Sequence, residues 1–246
     1  MPAKEKELRK RLLSEAEEAL RTKDGRRSME LADRVLEEDE RCAAAWLIAM
    51  KSFQLFLPIE ACQASNEIEC ARYAIRFAAP GEKYRMRKQV YEFFLHKIIA
   101  VLKRDEQALA DGREAMSFYQ RLAYLDASHA PQKTAQWDRP LVEAVQKSFV
   151  YCRELFEFIP DSALKRNAGW NRLAAEAAEQ WKRTCSYLEI RFEMYRWTMS
   201  REMAEDCVRQ YARFLRAVRD RDERLRETLP FDRYHLDAAS YPEHRG

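Results

Sequence analysis

The chain has 246 residues, of which 47% are hydrophobic and 11% aromatic, so it can bury a core and is not expected to be largely disordered. Glycine and proline are scarce, at 5 and 8 residues, which is typical of long helices and unfavourable for sheets and tight hairpins. The 44 basic residues nearly balance the 41 acidic ones, and a formal charge of +3 does not by itself indicate a nucleic-acid ligand.

Neither the N-terminal segment nor the most apolar segment indicates export or insertion into a membrane. The opening segment MPAKEKELRKRLL is charged and lacks the apolar stretch of a signal peptide. The most apolar segment, 93–102, is interrupted by His96 and Lys97 and is shorter than the ~18 apolar residues of a membrane span. Six scattered cysteines contain no Cys-x-x-Cys pair and indicate buried thiols in a reducing compartment. We therefore predict a cytoplasmic protein with no membrane partner.

The first three predicted helices follow from apolar spacing. Apolar residues recur at helical spacing from Leu8 to Leu20 and again from Met29 to Leu36. The segment Lys-Asp-Gly at 23–25 separates these runs as a turn, so the two runs predict a helical hairpin. A third helix is predicted from Trp46 onward, and Pro58 must stop or kink it because proline lacks the backbone donor.

Three further helices are predicted before the middle of the chain. Asn66 is expected to cap the fourth helix, and the Pro-Gly pair at 80–81 ends it. A broad apolar face predicts a fifth helix over 82–105, and a weaker stripe predicts a sixth around 106–127.

The segment ASHAPQK at 127–133 is the clearest predicted linker. A helix follows with Pro140 near its first turn, and a long helix is predicted from the turn at 160–162 to Met199. The apolar face of this helix requires a helical partner, and the segment 201–229, which has apolar residues at the same spacing, can supply it.

These elements predict an all-α protein of about eight to ten antiparallel helices. The expected domains are helical hairpins over 1–128, a long-helix bundle over 129–229 that packs on them, and an extended tail over 230–246.

The segment SMELADRVLEEDERCAAAW at 28–46 resembles the second helix and following turn of a tetratricopeptide repeat. In that family an aromatic residue opens each unit about 34 residues after the last. Trp46 takes this position, and Leu12 takes it one period earlier. The small and apolar packing positions then fall on the following residues: Ala16, Ser28, Ala32 and Val35.

The resemblance covers residues 9–57 and extends loosely to residue 80. Glu15 stands where the family has leucine, Met50 stands where a small residue is usual, and Pro80 arrives about six residues late. The rest of the chain is expected to continue as a divergent α-solenoid or helical bundle, with hairpins that resemble the repeat only at the N-terminus.

The resemblance implies a concave groove lined by the first helix of each hairpin. Carried over by position, the groove candidates are Lys10, Leu13, Glu17, Arg21, Lys51 and Gln54. Family members that bind chaperone tails hold the terminal carboxylate with Lys and Asn. Because Leu13 and Glu17 occupy the first-repeat positions of that clamp, this ligand is disfavoured here.

A basic and aromatic stretch over 82–104 is a candidate binding surface for a different class of ligand. Its candidate contact residues are Lys83, Tyr84, Arg87, Lys88 and Tyr91. Four arginines at 209–219 form a second basic stripe. Such faces can hold phosphates and stack on bases, although a solvated helix face whose long side chains cover the aromatics explains the same pattern.

No glycine-rich phosphate loop, zinc helix or nucleophile elbow is present, so we predict no enzyme activity and no cofactor. The predicted function is an intracellular scaffold or adaptor that binds a peptide or helix of another protein on a concave helical surface. The alternative is nucleic-acid or acidic-ligand binding through the basic faces at 82–104 and 209–219, and a homo-oligomer built through the helices of 170–229 also stays open.

Overall fold

The computed structural model describes residues 3–56, 63–123 and 130–194, and residues 205, 208, 209, 211 and 212. Side chains are described at 4–53, 55, 63–111, 140–188 and at the same five later positions. All regular structure within these residues is α-helical, which confirms the predicted all-α class. No helix in this part of the chain combines the length and the hydropathy needed to cross a membrane.

Eight helices lie in these residues. The first five are α1 (Ala3–Arg21), α2 (Gly25–Glu38), α3 (Ala43–Phe56), α4 (Ala64–Phe77) and α5 (Lys83–Ala123). The last three are α6 (Ala130–Phe158), α7 (Asp161–Arg166) and α8 (Ala168–Met194). The chain forms two compact units, residues 1–94 and residues 95–246, here called the first and second units.

The first unit contains two successive helical hairpins. Each of α1, α2 and α3 packs on the next helix in the chain, and α1 also contacts α3. Lys23 has a positive φ of 62°, and the Asp24 side chain caps α2 by accepting a hydrogen bond of 3.0 Å from the Arg27 backbone N–H. The predicted turn at 23–25 is therefore confirmed.

Small residues allow the helices of the first unit to approach closely. Ser28 Oγ donates to the Ala16 carbonyl, and Ser52 Oγ donates to Ser28 Oγ, each over 3.0 Å. A Cβ placed on Gly25 would collide with Leu55 Cβ. The positions assigned to interhelical packing are all buried, with exposed fractions of 2% or less: Leu12, Ala16, Ser28, Ala32 and Val35.

The second unit is built on larger side chains. The Phe149 and Trp181 rings stack with their centroids 4.3 Å apart, between α6 and α8. Polar groups also join its helices, since Thr184 Oγ1 donates to the Leu102 carbonyl over 3.2 Å and Gln180 Nε2 donates to Glu106 Oε2 over 2.5 Å. Aromatic packing and interhelical hydrogen bonds therefore hold this unit together.

The predicted division between a fifth and a sixth helix at residues 105–106 is wrong, because α5 runs unbroken for 41 residues. The charged segment there interrupts the apolar pattern but contains no proline or glycine to end a helix. Leu102, Asp105 and Leu109 are all buried, so the inner face of the helix continues across the predicted break.

Helix boundaries differ from prediction at two further sites. The fourth helix begins at Ala64, so Asn66 lies inside its first turn and does not cap it. Pro140 lies in the interior of α6, which begins ten residues earlier at Ala130.

The long helix predicted from 162 is interrupted at Asn167, which is extended with φ −116° and ψ 110°. The Asn167 side chain accepts a hydrogen bond of 3.1 Å from the Trp170 backbone N–H. Asparagine at this position therefore starts α8 as a new helix, because its side chain satisfies one of the backbone donors at the helix start.

The predicted domain boundary near residue 128 and the tail at 230–246 lie outside the described residues. The predicted partner helix at 201–229 is described only at isolated positions, of which Val208, Tyr211 and Ala212 are buried.

Candidate binding cleft

An open cleft of about 550 Å³ lies within the first unit, between α1, α3 and the first two turns of α5. Its apolar residues are Leu20, Ala43, Ala44, Leu47, Ile48 and Met86. Its charged and polar residues are Glu17, Arg21, Lys51, Glu82, Arg85 and Gln89. The cleft thus combines apolar surface with charges of both signs, as in many sites that bind peptides.

Lys51 is the charged residue set most deeply in the cleft wall. Burial lowers the pKa of its ammonium group below the ordinary value, and the nearby negative charge of Glu17 partly opposes this shift. Arg21 forms an ion pair with Glu18, one turn earlier on α1. A ligand carboxylate near Lys51 would therefore supply a charge partner for a cation that is partly removed from water.

Three of the six predicted groove residues line this cleft, namely Glu17, Arg21 and Lys51. Lys10 is exposed and Leu13 is half-buried, and neither lines the cleft. The side chain of Gln54 lies outside the described residues. The cleft therefore contacts only the C-terminal half of α1.

Sequence reasoning missed the contribution of α5 to the cleft. Arg85, Met86 and Gln89 of α5 line it, together with Glu82 in the turn directly before the helix. These residues follow the spacing of one helix face, at positions i, i+3, i+4 and i+7. The basic-face prediction for this stretch does not include the neutral and acidic residues that lie between its cations.

The basic-face candidates divide into exposed and buried residues. Lys83, Arg87 and Lys88 are exposed, and Tyr84 is 64% exposed. Tyr91 is 6% exposed, and burial raises the pKa of its phenol. Tyr91 therefore belongs to the core and presents no ring to a ligand in solution.

In the second basic stripe only Arg209 is described, and it is exposed. The other three predicted arginines, Arg213, Arg216 and Arg219, lie outside the described residues. The stripe at 209–219 therefore stays a prediction.

A second concave surface of about 560 Å³ lies between α3 and α4 in the first unit. Its aromatic residues include Trp46 and Tyr73, whose ring centroids are 4.7 Å apart, and Phe77, which stacks on Tyr73 at 5.8 Å. Trp46 Nε1 donates to the Glu40 carbonyl over 2.7 Å. The aromatic rings of this surface are thus packed against one another.

The described cysteines are free thiols, and three of the four are buried: Cys70, Cys152 and Cys185. Burial raises the pKa of Cys70 to about 12 and raises that of Cys152 well above its ordinary value. Because the thiolate is the reactive form, these two cysteines are poor nucleophiles. Among the residues with described positions, no three His, Cys, Asp or Glu side chains are grouped as metal ligands.

Comparison with protein-family models, with curated proteins and with solved structures found no match to this chain.

Proposed function

We propose that the protein is a scaffold or adaptor and that the cleft binds a peptide or helix from a partner protein. The observation that carries this proposal is the convergence of α1, α3 and α5 on one open surface. These are the first, third and fifth helices, the positions that line the groove in a stack of tetratricopeptide-like hairpins.

The composition of the cleft supports a protein ligand over a small molecule. Its apolar residues could accept the side chains of one peptide face, while Arg21, Lys51 and Arg85 could pair with carboxylates of the ligand. Glu17 and Glu82 would repel a uniformly acidic ligand, so a peptide with both apolar and mixed charged residues fits best.

The test is site-specific photo-cross-linking in cells of the source organism. A benzophenone amino acid at Ala44, an exposed residue of the cleft, should cross-link a partner that mass spectrometry identifies. The control position is Val150 in the second unit, which is 41% exposed. Cross-linking of the same protein from both positions would argue against the cleft as the binding surface.

The cross-linked segment of the partner is then synthesised, and its affinity is measured by isothermal titration calorimetry. Met86→Glu should weaken binding at least about tenfold because it places a charge against the apolar part of the cleft. Val150→Glu, at a 41% exposed position in the second unit, makes the same change in net charge and should leave affinity unchanged. Equal affinity in both variants would contradict the proposal.

A further inference from the structure

The first two turns of α5 carry an exposed face that is buried further along the same helix. Lys83, Tyr84, Arg87 and Lys88 are exposed. Each stands seven residues, or about two turns, before a buried residue, and these buried residues are Val90, Tyr91, Phe94 and Leu95. The face that α5 turns to the core therefore continues past the core as a basic surface.

The residues on this surface are unfavourable in two ways: an aromatic ring is exposed to water, and cations lie near the start of a helix. Tyr84 is 64% exposed, a large ring left mostly in water. Three of the four residues are cations, and no acidic residue lies in the first turn of α5. Cations near the start of a helix are unfavourable because the helix dipole is positive there. Residues that break local rules in this way are often retained for function.

Few of these charges are neutralised within the described residues. Lys88 Nζ lies 3.9 Å from Glu92 Oε1, whereas Lys83 and Arg87 form no ion pair in this part of the chain. Lys83 and Arg87 are one turn apart, which places their Cβ atoms about 5 to 6 Å from each other. That separation is close to the spacing of successive phosphates along a single strand.

We propose that Lys83, Tyr84, Arg87 and Lys88 bind single-stranded nucleic acid. The cations hold successive phosphates, and the Tyr84 ring stacks on an unpaired base. An amphipathic acidic helix fits less well, because it requires several apolar anchors at helical spacing and Tyr84 is the one apolar residue among the four. The site is separate from the cleft, which contacts Arg85, Met86 and Gln89 of α5, and the proposal is independent of the adaptor function.

The experiment measures fluorescence anisotropy of a labelled short oligouridylate with the full chain. Binding should weaken with added salt, and two to three phosphate contacts predict a slope of about −1.4 to −2.1 in log K against log salt concentration. Lys83→Glu with Arg87→Glu should weaken binding at least about tenfold. The control, Arg26→Glu with Arg34→Glu on exposed positions of α2, makes the same change in net charge and should leave the affinity nearly unchanged.

Tyr84 distinguishes stacking from simple charge attraction. Tyr84→Ala should weaken binding at least about fivefold, and Tyr84→Phe should restore it, because the phenyl ring also stacks on a base. Circular dichroism confirms that each variant is folded. Equal losses in both charge-reversal variants, an unchanged affinity in Tyr84→Ala, or equally tight binding of a labelled glutamate peptide of matched charge would each overturn the proposal.

Discussion

The two units of this protein pair their helices in different ways. In the first unit small residues set the helix separation, as Gly25, Ser28 and Ala16 do where α1, α2 and α3 meet. In the second unit large rings fill the space between helices, as in the Phe149 and Trp181 stack, and polar side chains join the helices across it. The first arrangement is sensitive to added volume and the second to lost volume.

The largest expected effect is the loss of a ring from the second unit. Trp181 is fully buried and stacks on Phe149, so Trp181→Ala should reduce the free energy of unfolding by about 3 to 5 kcal/mol. Trp181→Phe should cost less because a ring remains. Denaturant unfolding followed by circular dichroism measures both, and a loss below about 1 kcal/mol for the alanine variant would show that aromatic packing does not dominate this unit.

The converse change adds volume to the first unit. Gly25→Ala should destabilise it by about 1 to 3 kcal/mol, because the new Cβ collides with Leu55 Cβ and lies 2.9 Å from the Ser52 carbonyl oxygen. Without a collision, alanine in a helix would be favoured over glycine by up to about 1 kcal/mol.

The matched control for that variant is Gly81→Ala. No heavy atom lies within 4 Å of the added Cβ, and no described glycine has a positive φ. Gly81→Ala should therefore change the midpoint of thermal unfolding little. If Gly25→Ala also left the midpoint of thermal unfolding unchanged, close approach of the helices would not determine the packing of the first unit.

The polar connections of the second unit should have a smaller effect. Glu106 accepts hydrogen bonds from Gln180 and from Arg183, whose Nη2 lies 2.7 Å from Oε1. Glu106→Ala should cost about 1 to 2 kcal/mol. The exposed pair of Lys103 and Glu176 spans the same two helices, and Glu176→Ala should cost less than about 0.5 kcal/mol. If urea unfolding showed equal losses of unfolding free energy in the two variants, the burial of Glu106 would contribute nothing to stability.

Apart from the control variants, the smallest expected effect concerns Lys51 in the cleft. Because burial lowers the pKa of Lys51 in the folded chain, the charged form opposes folding, and Lys51→Met should stabilise the first unit by about 0.5 to 1 kcal/mol at neutral pH. This advantage should decrease as pH rises through the lowered pKa, and it should vanish above the ordinary value of 10.5, where lysine is neutral in both states. An advantage independent of pH would place its origin in packing.

Part of the candidate site could be predicted from local pattern. Glu17 and Arg21 share one face of α1 through their spacing, and the repeat period of 34 residues relates Glu17 to Lys51. Arg85 and Met86 could not be assigned in this way, because nothing in the spacing of α5 alone tells which of its faces meets α1 and α3.

The exposure of individual residues was also beyond local pattern. Tyr84 and Tyr91 stand on the same face of α5 and were grouped together, yet one is 64% and the other 6% exposed. The difference depends on where neighbouring helices begin and end, which is a property of the folded chain.

The sequence by itself determined the helical class, the turn at 23–25 and the small residues at 16, 28 and 32, because these depend on backbone preferences and on spacing along one helix. Only the tertiary structure decided that α5 continues past residue 105, where Leu102, Asp105 and Leu109 are buried on its inner face. It also decided which charges gather in the cleft. Those outcomes depend on contacts between residues distant in the chain, and such contacts outweigh local preferences that differ by about 1 kcal/mol or less per residue.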